Sequence, residues 1–146
     1  MYPFYDYPNS YRQTEKIIAN LTKAINGEYS AIQCYQKLAN MAPTQKEKEQ
    51  ILEIKQDESK HLHTFSQLYV NLTGSQPIPQ LMEQCPNNYK KGLEFALIDE
   101  QQTVDFYLDV SDETADPRIK AAFKRAALDE QNHAVWFLYF LTKQKY

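Results

Sequence analysis

Glycine is nearly absent, with three in 146 residues: Gly27, Gly74 and Gly92. Prolines occur only at Pro3 and Pro8, at Pro43 and Pro117, and in a stretch holding Pro77, Pro79 and Pro86. So few turn residues all but exclude an all-β fold, and the proline-free stretches can run as helix. Long apolar runs are missing too. The longest, Ala134 to Leu141, has eight residues, far below the roughly 20 that span a bilayer, so no membrane partner is expected. The N-terminus lacks the charged-then-apolar pattern of a signal peptide, which predicts a cytoplasmic protein. Positive charge is not in excess: 16 Lys and Arg against 19 Asp and Glu give a net charge of −3, and nothing invites nucleic acid. Only two cysteines occur, Cys34 inside a helical pattern and Cys85 in a loop. They form no CxxC pair, no disulfide framework is expected from them, and thiolate metal chemistry is set aside. What remains, 42% apolar and 24% charged residues in 17.1 kDa, describes one soluble domain around one core.

Hydrophobic spacing supplies the architecture. Residues 1–10, MYPFYDYPNS, mix aromatics with two prolines and predict an extended arm. From Tyr11 to about Asn40, the residues Ile17, Leu21, Ala24, Ile25, Ala31, Ile32 and Leu38 recur at helical steps. Pro43 ends that stripe. Thr44 and Glu47 then form a capping box for a second helix reaching about Leu72. A connector without periodicity runs to about Asn87, and its length predicts a crossover that leaves helices two and three parallel. Helix three follows to about Glu113. Asp116 and Pro117 start helix four, which continues almost to Lys143. Residues 11–146 therefore read as an all-α four-helix bundle.

A shift of 72 residues superimposes Leu21 on Leu93, Glu28 on Glu100, Tyr35 on Tyr107, Glu58 on Glu130 and His61 on His133. The chain is two copies of one helical hairpin. Polar residues interrupt the apolar seams at matching places: Glu28 and Glu100 on helices one and three, and Glu-x-x-His on helices two (Glu58, His61) and four (Glu130, His133). At about 1.5 Å of rise per residue, all six reach mid-bundle. Four carboxylates in an apolar core need raised pKa values or cations among them, and two divalent metals cancel four charges. Oxygen and imidazole ligands without sulfur favour iron, with manganese or zinc as alternatives. Asp57 and Asp129 precede the ligand glutamates and can reach across the bundle, Asp57 to His133 and Asp129 to His61. Tyr35 and Tyr107, two turns beyond Glu28 and Glu100, read chiefly as aromatic core, with donation to the ligands or electron relay as the functional reading. His63 reads as a surface residue, Cys34 as a small packing residue, and the acidic run Asp99, Asp105, Asp109 and Asp112 as a solvated face.

One glutamate from each of two helices and Glu-x-x-His from each of the other two resembles the ferritin-like di-iron carboxylate proteins; that arrangement is a standard example of ligands built into a bundle core. Within that superfamily the chain is similar to the rubrerythrin-type domains and the bacterioferritins. The resemblance implies a ferritin-like bundle, two iron ions without haem, and reaction with peroxide or dioxygen, peroxide being the faster. It also implies that the six ligands Glu28, Glu58, His61, Glu100, Glu130 and His133 are the catalytic residues. Two differences stand out. Rubrerythrins carry paired CxxC motifs and usually a further glutamate one turn after the helix-three ligand, whereas this chain has no CxxC and has Thr103 there; its electron donor is unidentified. A dimanganese catalase-like enzyme and a non-catalytic, metal-stapled structural or coat protein are the alternative readings. The all-round apolar AVWFLYFL segment predicts a homodimer or larger assembly.

Overall fold

The computed structural model describes the backbone of residues 6–145 and the side chains of residues 11–145. It contains α1 (Asp6–Met41), α2 (Gln45–Thr73), α3 (Tyr89–Glu113) and α4 (Pro117–Thr142), with no strand among the described residues. The expected extended arm needs correction, because α1 begins at Asp6 rather than Tyr11. Pro8 falls in its first turn, where a missing N–H costs no hydrogen bond. Residues 1–5 of that arm lie outside the described residues.

The other helix ends follow local chemistry. Thr44 Oγ1 accepts from the Glu47 amide at 3.2 Å and donates to the Glu47 carboxylate at 2.7 Å, fixing the start of α2. Gly74 closes α2 at φ 74°, a left-handed conformation that glycine adopts without a steric penalty, and its N–H reaches Val70 O at 2.8 Å. Asn88 caps α3 through the Lys91 amide at 3.0 Å, and Asp116 caps α4 through the Arg118 amide at 2.8 Å.

Contacts between the hairpins set the topology. α1 and α3 run antiparallel: Gly92 meets Leu38 at one end, and Lys16 pairs with Glu113 at 3.0 Å at the other. α2 and α4 are also antiparallel, with Phe65 stacked on Phe123 and Gln144 donating to Glu47 at 3.1 Å. α2 and α3 therefore point the same way, and residues 74–88 carry the chain back along the bundle. This is a ferritin-like four-helix bundle. No described helix is long and apolar enough to cross a membrane.

The crossover is clipped to one stripe of α1. The Gln80 amide donates to Asn26 Oδ1 at 2.9 Å, the Met82 amide to Ser30 Oγ at 3.0 Å, and Lys37 Nζ to Cys85 O at 3.0 Å and to Asn87. Cys34 of α1 is bonded to Cys85 of the crossover, with Cα atoms 5.1 Å apart. This corrects both the expectation of no disulfide and the reading of Cys34 as mere packing. The pairing depends on where the crossover lies against α1, which no local spacing of the cysteines encodes.

Two apolar clusters fill the bundle. One gathers Tyr35, Leu38, Ile51, Ile54, Leu93 and Phe137 near the α1–α2 turn; the other gathers Leu21, Ile25, Phe65, Tyr107, Ile119 and Phe123 towards the far end. Between them lies a polar layer.

Candidate metal centre

That layer consists of Glu28, Glu58, His61, Glu100, Glu130 and His133, all buried, the carboxylates to within 2% of full burial. Each comes from the core stripe of its helix, so the packing of Leu21, Ile25, Ile54, Phe65, Phe123 and Phe137 around them sets their height and direction. The ligand atoms form two quartets, Glu28–Glu58–His61–Glu130 and Glu58–Glu100–Glu130–His133, each with its atoms within 4.8 Å of one another. Glu58 and Glu130 belong to both. Each quartet thus takes three residues from one hairpin and one from the other.

Hydrogen bonding shows which atoms are committed and which are open. His61 Nε2 lies 2.8 Å from Asp129 Oδ2, and His133 Nε2 lies 2.9 Å from Asp57 Oδ2. Each aspartate accepts a hydrogen bond from Nε2–H and so turns Nδ1 towards the carboxylates. His61 Nδ1 stands 3.2 Å from Glu130 and 3.4 Å from Glu28, and His133 Nδ1 stands 3.2 Å from Glu58. The tyrosines act crosswise as well: Tyr107 donates to Glu28 Oε1 at 2.5 Å and Tyr35 donates to Glu100 Oε1. They also pack as core rings, Tyr107 edge-on to Phe65 and Phe123 and Tyr35 against Phe137, so packing and donation coexist where packing was the primary expectation. Six buried atoms have no hydrogen-bond partner: Glu28 Oε2, Glu58 Oε1, His61 Nδ1, Glu100 Oε2, Glu130 Oε1 and His133 Nδ1. One orphan per residue, all facing inward, is a ligand set for two cations.

Electrostatics agree. Burial, then the Glu58 charge, pushes Glu28 up to about 8. Burial and Glu58 push Glu100 up to about 7. Glu130 is driven well above the carboxylate range by burial and then by Glu100, Glu58 and Glu28. Burial opposes a charged His133, but the Glu100 and Glu58 carboxylates facing Nδ1 outweigh it and raise the imidazole to about 11. Burial opposes a charged Glu58, but the neighbouring His133 and His61 outweigh it and hold its carboxyl below the usual range. Protons therefore sit on the other three glutamates and the imidazoles of the metal-free site, and cations replace them with neutral imidazoles and charged carboxylates. Burial, with Glu100 or Glu28 beside it, holds both tyrosines well above their ordinary range, so each keeps its O–H as a donor.

A cavity of about 250 Å³ opens onto this layer between α1 and α3, with Glu28, Glu58, Glu130, Tyr35 and Tyr107 on its inner wall. Met82 and Glu83 of the crossover, with Lys23, Asp99, Thr103 and Phe106, make its outer wall. The sequence reading missed Met82, Glu83 and Lys23, since a connector's path is not periodic. Asp99 leaves the solvated run expected of it: burial and then the charges of Glu83 and Glu58 raise it to about 6. Asp105, Asp109 and Asp112 remain exposed, as does His63. Thr103 is turned back on its own helix, donating to Asp99 O at 2.8 Å.

Known proteins resemble this chain in sequence and in fold. A family model described as rubrerythrin matches residues 19–137. The uncharacterised protein YhjR of Bacillus subtilis (strain 168) is 52% identical over 143 residues, covering 98% of this chain and 99% of that protein. Two solved structures share the fold. A ferritin-like, diiron-carboxylate protein from Bacillus anthracis (strain Ames) superimposes with a TM-score of 0.76 at 24% identity, over 88% of this chain and 96% of that one. A hypothetical protein from Pyrococcus furiosus gives 0.74 at 20% identity, over 86% of this chain and 88% of that one.

Proposed function

Because this chain belongs to the rubrerythrin family, we propose that it is an oxidoreductase that holds two iron ions at mid-bundle and reduces peroxide, serving iron or oxidative-stress handling. The observation that carries this reading is the pair of quartets sharing Glu58 and Glu130, with one unsatisfied ligand atom on each of six residues. When bound, a ferrous pair supplies two electrons, one from each ion, which matches the two-electron reduction of peroxide to water.

The protein's part is positioning, charge balance and access. Glu28 and His61 would help to hold one ion, Glu100 and His133 the other, and Glu58 and Glu130, which belong to both quartets, would serve each. Asp129 and Asp57 hold the imidazoles with Nδ1 inward. Tyr107 and Tyr35 each occupy one oxygen of a terminal glutamate and leave the other for the cation. Phe65 and Phe137 cap the layer above and below and exclude bulk water, which strengthens every charge interaction inside. The cavity bounded by Met82, Thr103 and Phe106 gives a small oxidant a route to the layer.

One observation favours dioxygen as a second reading. The Thr103 hydroxyl is committed to Asp99 O and offers no carboxylate to the site, so a ligand exchange linked to redox state lacks one partner. Stopped-flow mixing of anaerobic ferrous-loaded protein with each oxidant decides between them. Peroxide is expected to give the larger second-order rate constant; a larger constant with dioxygen would make the protein a ferroxidase.

A further inference from the structure

We propose that Cys34 and Cys85 form a built-in two-electron donor for the metal pair, reducing it as a dithiol and ending as the disulfide seen here; this rests on the redox reading above. Cys34 lies on the wall of the cavity that also exposes Glu28, Glu58 and Glu130, and it is 4% exposed. Its chain neighbour Tyr35 donates directly to the ligand Glu100. Cys85 sits half-buried on the crossover, outside that cavity lining. Cys34 thus borders the cavity of the redox site, while Cys85 stands outside it and is the more accessible of the two to a thiol reductant. Lys37 Nζ, at 3.0 Å from the Cys85 carbonyl, holds the backbone of that residue against α1.

The balance closes. Two ferric ions accept one electron each from the two thiols, one S–S bond forms, and two protons leave. Peroxide then takes two electrons from the ferrous pair and two protons to give two waters, so a turnover consumes one dithiol and leaves one disulfide. An external dithiol restores the pair by exchange at Cys85. A disulfide serving only as a staple needs no place on the cavity wall, and in a reducing compartment disulfides are mostly transient and catalytic.

The test begins with reduced, metal-free, full-length protein under argon, given two equivalents of ferric citrate per chain. Ferrous iron is read with bipyridyl, and thiols by alkylation and mass spectrometry of Cys34 and Cys85. The expected result is two ferrous ions formed and two thiols lost per chain. Prior loading of the same wild-type protein with zinc should abolish both changes, as should C34S/C85S. A second arm loads ferrous iron into reduced protein and adds peroxide: the dithiol protein should consume two equivalents per chain and the disulfide protein one. Two thiols surviving in both arms, or thiol loss undiminished by zinc, would overturn the proposal and leave a structural staple. Ferrous protein inert to peroxide, with ferric citrate still oxidising both thiols, would sink the peroxidase reading and spare this one.

Discussion

Asp129 does nothing to a metal directly, yet its carboxylate sets which nitrogen of His61 faces the site. Asp129→Asn keeps the shape and removes the charge, and should weaken the first metal position about 10- to 100-fold, measured by competition with a coloured chelator. Glu58 and Glu28 should differ more sharply. Glu58→Ala removes a ligand from both quartets and should leave less than one ion per chain, whereas Glu28→Ala touches one quartet and should leave about one; metal analysis after desalting separates the two. Burial and mutual repulsion hold protons on Glu28 up to about pH 8 and on Glu100 up to about pH 7. Cations must displace those protons, so affinity should climb as pH rises through 7 to 8, with proton release on loading; titration in two buffers of different ionisation enthalpy measures it. The six residues of the buried layer were legible because a charged residue on an apolar seam is costly, and the 72-residue repeat paired each with a partner. The crosswise Asp–His pairs followed from the same repeat. The tyrosine bonds were harder to read, because a ring on a seam satisfies packing whether or not its hydroxyl is used.

At the scale of the helix, Gly92 marks where α3 comes closest to α1. A Cβ there would collide with Leu38 Cδ2, and Leu38 is fully buried, so its side chain would have to shift within the packed core. Gly92→Ala raises helix propensity, but the collision should dominate and cost about 1 to 3 kcal/mol, read as a lower urea midpoint at unchanged m-value. Helix ends were legible where a cap announces them, at Thr44 and Asp116. The start of α1 was not: Pro8 looks like a breaker in the sequence, although a first turn tolerates it. The disulfide was hidden for a longer-range reason. Cys34 and Cys85 are 51 residues apart, and they meet only because Asn26, Ser30 and Lys37 bind an irregular segment along one side of α1.

For the whole molecule, α4 presents Leu128, Val135, Leu138 and Tyr139 outward, each about half exposed. Their spacing puts them on one stripe, which should join a second copy of the chain. Light scattering at micromolar concentration is expected to give twice 17.1 kDa, and Val135→Glu to return the mass to one chain; a wild-type monomer would contradict this. Topology was legible as a whole because the connector is long enough to span the bundle, while its path over the cavity was not, since hydrogen bonds to α1 decide that path. The crosswise supports also impose a timetable. Synthesis delivers the first hairpin before the second exists. In that interval Glu28 has no Tyr107, His61 has no Asp129, and Glu130, which completes the first quartet, has not been made. A nascent half-chain therefore offers metal only a loose, wet grip. Firm capture waits for α4, so metal taken up tightly is itself a certificate that folding has finished.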